Sequence, residues 1–221
     1  MNYATLFETI KGYVENDFPN TSWTDSAGTG TVTLTSTEQI NTFIQQAEQR
    51  IYNMVQLLDL RKNVTGNVTT GNKYLSVPSD WLANFSLAVV DASGDYKYLL
   101  NKDVNYIREA YPNPSLTGTP AHYGQFSSTS LIIGPTPDAN YGVELHYYYY
   151  PESIVTAGNT WLGDNFDSAL LNGTMVEAIR YMKGEPDMVA LVNQRYVQAI
   201  ALLKNLGDGK QRADAYRDGQ I

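Results

Sequence analysis

Two segments indicate the fold most clearly: LIIGPTPD at residues 131–138 and YGVELHYYYYP at residues 141–151. The first contains a short β-type run, Leu131 to Ile133, that a proline-bracketed turn ends, and the second forms a longer strand. Pro120-Ala121-His122-Tyr123 precedes these strands, and Trp161-Leu162 follows them. Neither strand carries a nucleophile, a cluster of metal ligands or a phosphate-binding loop, so we expect β-structure without a reaction centre here.

Upstream of this region, the spacing of apolar residues predicts two helices. The first covers Tyr3 to Val14, where apolar side chains recur on one face. The second begins at Ser36, which can cap it, with Gln39 placed for a capping box, and its apolar stripe continues to Leu58. Between the helices lies a stretch rich in Gly, Thr and Ser, Asn20 to Thr35, that we interpret as a loop or an arm.

Downstream of the region, two further helices are predicted. One runs from Asn165 to Lys183, and the next carries an apolar stripe from Val189 to Leu206. Gly184-Glu185-Pro186-Asp187 separates them, since proline suits the first turn of a helix. A helical hairpin of this kind is not stable alone, and packing on the two N-terminal helices would give a four-helix bundle.

The central part of the chain has the alternation typical of strands. Segments 63–69 and 73–77 alternate in this way, and 85–91 with 95–100 form a predicted hairpin. A short helix is predicted over 102–111. The central part is therefore predicted to be a small antiparallel β-domain inserted between the helices.

These patterns predict an α+β protein in four parts. The N-terminal helices of the bundle occupy residues 1–60, with a loop at 19–35, and the inserted β-domain occupies 61–160. A helical hairpin at 161–206 completes the bundle. Residues 207–221 have interleaved charges and three glycines, so we expect an extended tail there. From its residues alone, this tail is either a frayed terminus or a docking segment.

The composition is acidic and lacks cysteine. The formal net charge is −8 and no run of lysine or arginine occurs, which argues against tight binding of DNA. An acidic wall past which DNA slides would fit this charge, as would an ordinary acidic soluble protein. Zero cysteines exclude disulfides and thiolate metal sites. No apolar run is long enough for a bilayer, and Met1 to Thr5 lacks a basic start and a continuous apolar run, so we expect no signal peptide.

Tyrosine is the one strongly enriched residue type. Seventeen tyrosines stand against six phenylalanines. Tyrosine is common at protein interfaces, because it combines a broad ring with a polar tip, and it is also a good strand former. An interface role and a place along half-exposed strands therefore both remain open.

The candidates for chemistry are weak. His122 and His146 are the two histidines, and without clustered ligands we interpret both as structural or surface residues. Gly28-Thr29-Gly30 lacks the third glycine, the preceding strand and the following helix of a phosphate loop. Two acids could converge for glycoside hydrolysis, but we expect the spread carboxylates to be solvated surface groups; they are Glu8, Glu15, Asp17, Asp80, Asp138 and Glu144.

The tryptophans keep a second class of function open. Trp23, Trp81 and Trp161, together with the tyrosines, could stack on sugar rings. We expect instead that Trp81 and Trp161 anchor turns between the β-domain and the bundle.

The order of the parts resembles the head-to-tail adaptors of short-tailed phages, the family that includes the tail tubular protein A adaptors. There, a β-domain with a P-A-x-Y … P-x-P-D … Y run precedes a W-L and a helical C-terminal half. The matching residues here are Pro120-Ala121-His122-Tyr123, Pro135-Thr136-Pro137-Asp138, Tyr141 and Trp161-Leu162. The resemblance implies a structural virion protein and not an enzyme, with no catalytic residues, cofactor or metal.

The resemblance also implies partners and a location. Twelve copies would form a ring at the head–tail junction, after assembly in the host cytoplasm, between the phage portal protein and a tail nozzle or tail tube protein. DNA would pass through the lumen without specific binding, and no membrane would be involved. In these adaptors the C-terminal tail embraces the portal, and the contacting groups here would be Lys210, Arg212, Tyr216, Arg217 and Ile221.

The alternative from a different class is a virion-associated tail module that binds host carbohydrate. Ring formation on a portal would favour the adaptor, and saturable sugar binding by a monomer or trimer would favour the module.

Overall fold

A computed structural model describes residues 1–28 and 30–211, with the backbone alone at Leu58 and at 207–211. The chain divides into two compact units. The helical unit comprises Met1–Leu58 and Pro151–Ile221, and the β unit comprises Asp59–Tyr150. The chain thus leaves the helical unit once and returns to it once.

Helices and strands occur together, which confirms the predicted α+β class. The helices are α1 (Tyr3–Val14), α2 (Ser36–Met54), α3 (Val104–Ala110), α4 (Ile154–Ala157), α5 (Trp161–Asn165), α6 (Asp167–Tyr181) and α7 (Pro186–Gln211), with a 3-10 turn at Leu58–Leu60. The strands are β1 (Thr21–Thr24), β2 (Thr31–Leu34), β3 (Arg61–Val68), β4 (Tyr74–Ser76), β5 (Ala83–Val90), β6 (Tyr96–Tyr98), β7 (Leu100–Asn101), β8 (Thr117–Gly118), β9 (His122–Gln125), β10 (Ser130–Gly134), β11 (Thr136–Pro137) and β12 (Tyr141–Tyr148).

The start of α2 differs by one residue from the prediction. Thr35, not Ser36, is the N-cap: its hydroxyl accepts from the Glu38 N–H, and the Glu38 carboxylate accepts from the Thr35 N–H at 2.8 Å. Both Thr-x-x-Glu and Ser-x-x-Gln fit the capping-box pattern. The carboxylate also interacts favourably with the helix dipole, which favours the glutamate at this position.

The central helix of the helical unit is α6, and α1, α2 and α7 each pack against it. The side chains of Ala169, Leu170 and Val176 are buried there. Gly173 marks a close approach, because a Cβ there would lie 3.1 Å from the Tyr196 ring of α7 and 3.4 Å from the Ala47 Cβ of α2. The four long helices predicted from apolar spacing are confirmed, with small differences at their ends.

The end of α7 corrects the predicted start of the tail. We expected an extended segment from Gly207, but α7 continues to Gln211. Each residue added to an existing helix gains one backbone hydrogen bond, so a long helix continues through Gly207 and Gly209 despite their low propensity.

The β unit contains two four-stranded sheets. In one, β12 lies between β3 and β5, with β6 at the edge; in the other, the order is β4-β10-β9-β7. Along β12, the side chains of Val143, Leu145 and Tyr147 are buried, whereas alternate side chains are not. They share a core with side chains of the second sheet, Leu131 and Ile133 among them. The predicted strands at 131–133 and 141–150 are thereby confirmed.

The β unit also departs from the predicted antiparallel arrangement. β7 pairs with β9 in parallel, and β8 pairs with β11 in parallel. Parallel neighbours need a crossover connection, and the chain between β7 and β9 contains α3, the short helix predicted over 102–111. The predicted hairpin of β5 and β6 is confirmed, with the Asp91 N–H donating to the Asp95 carbonyl at 3.1 Å.

The expected loop at 19–35 is instead a β-hairpin. β1 and β2 pair antiparallel, from Thr21 opposite Leu34 to Thr24 opposite Thr31. Gly28, at φ 69°, allows the turn, where its N–H donates to the Asp25 carbonyl at 3.0 Å. Threonine, valine and tryptophan favour strands, and here this preference prevails over the surrounding glycines.

Candidate interaction surfaces

The hairpin of β1 and β2, which we call the Trp23 hairpin (residues 21–34), has an exposed apolar face. Trp23 lies directly opposite Val32 and thus on the same face. Their exposed fractions are 50% and 43%. Leu34 is on this face too, because strand side chains alternate. On the other face, the hydroxyls of Ser22 and Thr33 are 2.8 Å apart and hydrogen-bonded.

The base of the Trp23 hairpin is held by buried and capping polar groups. Gln39 is 2% exposed, and its side-chain amide donates to the carbonyls of Pro19 at 3.0 Å and Leu34 at 3.3 Å. Ser36 donates from its hydroxyl to the Asp17 carbonyl, and its N–H donates to Asn20 Oδ1 at 2.9 Å. Ser36 and Gln39, predicted as capping residues, fix the hairpin to α2 instead.

An exposed hairpin with a fixed base is typical of an interaction element. Two strands alone are marginally stable in water, because they bury little apolar surface. At the base, Leu34 lines a groove of about 400 Å³ together with Phe43 and Tyr181. The apolar face of the Trp23 hairpin therefore continues onto α2 and α6.

The predicted portal contacts lie at the limit of the described chain. Lys210 is in the last turn of α7, where only the backbone is described. Arg212, Tyr216, Arg217 and Ile221 lie outside the described residues. Their contacts therefore stay a prediction.

The two histidines lie in different sheets of the β unit. His122, in β9, has its Nδ1 2.8 Å from the Tyr111 hydroxyl. His146, in β12, packs edge-on against the Phe85 ring, over which the Arg61 guanidinium lies at 4.1 Å. Among the described residues, no group of three or more acids or histidines could hold a metal ion. Both histidines make the structural contacts that we expected.

Of the six carboxylates suggested for acid–base chemistry, four are held in separate local interactions, namely Asp17, Asp80, Asp138 and Glu144. Asp17 pairs with Lys11 at 2.9 Å. Asp138 accepts from the Tyr141 hydroxyl at 2.7 Å. The hydrogen bond from Asn63 lowers the pKa of Glu144, which is the opposite of what a general acid needs. Glu8, on α1, and Glu15, at its C-terminal cap, are exposed.

Asp80 links two strands of the β unit through its two carboxylate oxygens. Lys62 donates to Oδ2 and the Tyr147 hydroxyl donates to Oδ1, each at 2.8 Å. The hydrogen bond from Lys62 is the main cause that lowers the pKa of Asp80. Since the pKa is low and both oxygens are occupied, the arrangement is that of a structural bridge.

Sequence analysis made no prediction for Glu48, the acid that is buried among the described residues of the helical unit. Glu48 of α2 is 3% exposed, and burial raises the pKa of its carboxyl against the hydrogen bonds from Ser153 and Ile154. A signal was present: Glu48 follows Ile44 by four residues and Ala47 by one, so it continues the apolar stripe of α2. An acid on a buried stripe needs a partner, and here the start of α4 supplies one.

The three tryptophans differ in exposure. Trp81 is buried, and its Nε1–H donates to Asn84 Oδ1 at 2.9 Å. Trp161 is half-buried and lies 5.7 Å from the Phe166 ring. Trp23 alone of the three is exposed.

Some tyrosines are buried in the core and others are exposed at the surface. Tyr123 and Tyr147 are buried in the β unit, and Tyr52 and Tyr196 are buried in the helical unit. Others are exposed large apolar groups, namely Tyr13, Tyr74, Tyr96, Tyr98, Tyr106, Tyr150 and Tyr181. The exposed tyrosines are available for contacts with other proteins, and tyrosine is favoured at protein interfaces.

The described helices include none with the length and apolarity to cross a bilayer.

Comparison with known proteins identifies the family. No curated protein matches the chain. The family model of the SU10 adaptor protein matches residues 1–220. The match confirms the resemblance to phage head-to-tail adaptors, which are structural proteins of the virion. The chain therefore belongs to the SU10 adaptor protein family.

Proposed function

We propose that this adaptor forms a ring of twelve copies between the portal and the tail, at the head–tail junction. The observation that carries the proposal is the family match over residues 1–220. A ring of identical copies needs a heterologous contact, in which two different patches of one chain meet on neighbouring copies. The Trp23 hairpin is an exposed and anchored element suited to such a contact. Within each copy, α1, α2, α6 and α7 would form the four-helix bundle.

The ring would line the channel through which the genome leaves the head. The chain has 23 acidic and 15 basic residues, and a net charge of −8. Like charge between the wall and the phosphates keeps DNA from adhering, so DNA passes without specific binding.

The C-terminal segment 207–221 would dock on the portal protein. Lys210, Arg212 and Arg217 would pair with acidic groups of the portal, and Tyr216 and Ile221 would add apolar contact. Ordering a segment on binding weakens each single contact. Twelve copies restore a high overall affinity through avidity. The other end of the ring would receive a tail nozzle or tail tube protein, and assembly would take place in the host cytoplasm.

Mass photometry of the chain with its cognate portal tests this function. The full chain is compared with a chain that ends at Gln211, which keeps all of α7 that the structure describes. We expect one adaptor per portal subunit for the full chain and a large decrease in occupancy for the truncated chain. The matched control is the double variant Asp214→Ala and Asp218→Ala, which keeps the cations and should bind like the full chain.

Lack of association of the full chain with the portal would refute the adaptor function. A glycan-binding measurement on the same sample then tests the alternative, a tail module that binds host carbohydrate. Association that is unchanged by truncation would keep the adaptor function and refute the docking role of residues 212–221.

A further inference from the structure

The helical unit has a groove beside α7 that is lined by two cations without an ion pair to any described residue. This basic groove, of about 520 Å³, is lined by Met54, Arg180, Tyr196, Val197, Ile200 and Lys204, among others. Its apolar part is open to solvent, because Val197 is 57% exposed. Arg50, at its edge, pairs with Glu177. In the described part of the chain, Arg180 and Lys204 form no ion pair.

A second groove of the same unit has unpaired negative charge. This acidic groove, of about 360 Å³, is lined by Tyr13, Glu15, Ile179, Met182, Glu185 and Met188, among others. Met188 is 49% exposed. Glu15 and Glu185 also form no ion pair with any described residue. The two grooves thus match in number and in opposite sign of unpaired charge, and each has exposed apolar surface.

The two grooves lie on different sides of α6. Successive residues of an α-helix are about 100° apart. Arg180, in the basic groove, and Met182, in the acidic groove, therefore point to nearly opposite sides. On α7, residues spaced by three and four from Asn193 to Lys204 line the basic groove, so they lie on one side of the helix. Met188, in the first turn of α7, lines the acidic groove. One copy cannot close its own grooves on each other.

We propose that the basic groove of one copy receives the acidic groove of the next copy, so that this pair forms the charged part of the head-to-tail contact of the ring. The inference rests on the proposed ring function and names the surfaces that build it. Opposite charges give the contact its register and orientation, and the apolar side chains between them supply buried area. The net charge of −8 makes copies repel each other overall. Attraction between the oppositely charged grooves therefore favours one orientation of neighbouring copies over others.

Reversal of charge in each groove gives a sharp test. The basic-groove variant carries Arg180→Glu and Lys204→Glu, and the acidic-groove variant carries Glu15→Lys and Glu185→Lys. Each variant alone places like charges at the contact, so we expect loss of ring assembly, measured by mass photometry with the cognate portal. A 1:1 mixture of the two variants should assemble again, because every contact in an alternating ring is then complementary.

A cross-linking measurement provides a second readout in case a charge variant does not fold. The natural chain has no cysteine, so the double variant Met188→Cys and Val197→Cys carries one thiol in each groove. Oxidation of the assembled protein should give covalent multimers larger than a dimer. Either single-cysteine variant should give no covalent multimer, because its thiol faces a groove that lacks a cysteine.

The outcomes distinguish failure of the proposed groove contact from failure of the proposed ring. Assembly of both charge variants like the natural chain, or no cross-link in an assembled ring, overturns the groove contact and leaves the ring. Failure of the basic-groove variant alone, with normal assembly of the acidic-groove variant, assigns the basic groove to a different acidic partner and also overturns it. If the natural chain does not assemble, even with the portal, both proposals fall.

Discussion

The backbone N–H of Ile154 donates a hydrogen bond to the carboxylate of Glu48 at 2.9 Å, across 106 positions of sequence. Glu48 is in α2, before the chain enters the β unit, and Ile154 begins α4, just after the chain returns. The bond is buried and joins the two segments of the helical unit. Its environment raises the pKa of Glu48, so the helical unit should have a pH-dependent stability.

Glu48→Gln should flatten the pH dependence of unfolding. A raised pKa means that the folded state binds a proton more tightly than the unfolded state, so stability decreases as pH rises from the ordinary glutamate value of 4.5 through the raised value. Glutamine keeps an acceptor for Ile154 but does not titrate. Urea unfolding of both proteins between about pH 4 and pH 8 measures the difference.

The control for this prediction is Glu38→Gln on the same helix. The Thr35 backbone hydrogen bond lowers the pKa of Glu38 from the ordinary value of 4.5, so this variant should leave the slope above that pH unchanged and change it in the opposite direction below it. Glu48→Ala, which leaves the Ile154 N–H without its partner, should lower the free energy of unfolding by about 1–3 kcal/mol. Equal slopes for the natural chain and Glu48→Gln would contradict the prediction.

Asp80 should make the β unit lose stability in acid. Its pKa is held below the ordinary aspartate value of 3.8, mainly by Lys62. The unfolded state then binds the proton more tightly, so the contribution is present above the ordinary value and is lost as pH falls through the lowered one. Asp80→Asn should remove this part of the acid dependence, as measured by thermal unfolding at a series of acidic pH values.

The hydroxyl of Tyr147 should contribute more to the free energy of unfolding than the hydroxyl of Tyr148, its neighbour in β12. Tyr147 is 1% exposed and donates to Asp80 at 2.8 Å. Tyr147→Phe should lower the free energy of unfolding by about 0.5–1.5 kcal/mol, because a partly buried hydrogen bond is lost. Tyr148→Phe, on the outer face, is the matched control and should change it by less than about 0.5 kcal/mol. A larger effect at Tyr148 would argue against the assigned bridge.

Gly134 should not tolerate a side chain. A Cβ there would lie 2.5 Å from Cδ2 of Tyr111 and 3.0 Å from Cγ2 of Ile107. Gly134→Ala should therefore lower the free energy of unfolding by about 1–3 kcal/mol. At Gly142 the nearest atom is the Val90 Cβ, at 3.5 Å, so Gly142→Ala is the matched control. Denaturant unfolding of the two variants checks the order, and equal effects would contradict it.

Trp23 should matter for assembly and not for the fold. As an exposed side chain, its change to alanine should alter the free energy of unfolding by less than about 0.5 kcal/mol. Trp81→Ala, at a buried position, should cost about 3–5 kcal/mol. In mass photometry with the portal, Trp23→Ala should assemble poorly, and Trp23→Tyr, which keeps an aromatic ring, should assemble better. Full assembly of Trp23→Ala would exclude the hairpin from the contact.

Apolar periodicity was sufficient to predict the long helices and the main strands. The stripe of α2 and the alternation along β12 are strong, since both elements bury one face. The same reasoning failed at the Trp23 hairpin, because its strands are short, exposed and surrounded by glycines. It also failed for the parallel pair of β7 and β9: pairing partners distant in sequence leave no local pattern.

The interaction surfaces were less predictable than the elements. Trp23 was noted only as one tryptophan among three, since exposure depends on the tertiary packing that buries Trp81. The grooves combine side chains from helices far apart in sequence, such as Met54 with Val197 and Tyr13 with Met188. Unpaired charge in a groove is a property of these combinations, which no local spacing encodes.

The division of the chain also sets an order of events during synthesis. The β unit is continuous, from Asp59 to Tyr150, so all of it has left the ribosome while α1 and α2 still lack α6, the helix on which they pack. Domains generally fold as they are completed. The helical unit, and every groove that includes α6 or α7, can form only after the last third of the chain is made. Prematurely terminated chains would therefore carry a folded β unit without a complete helical unit, and we expect that they do not assemble.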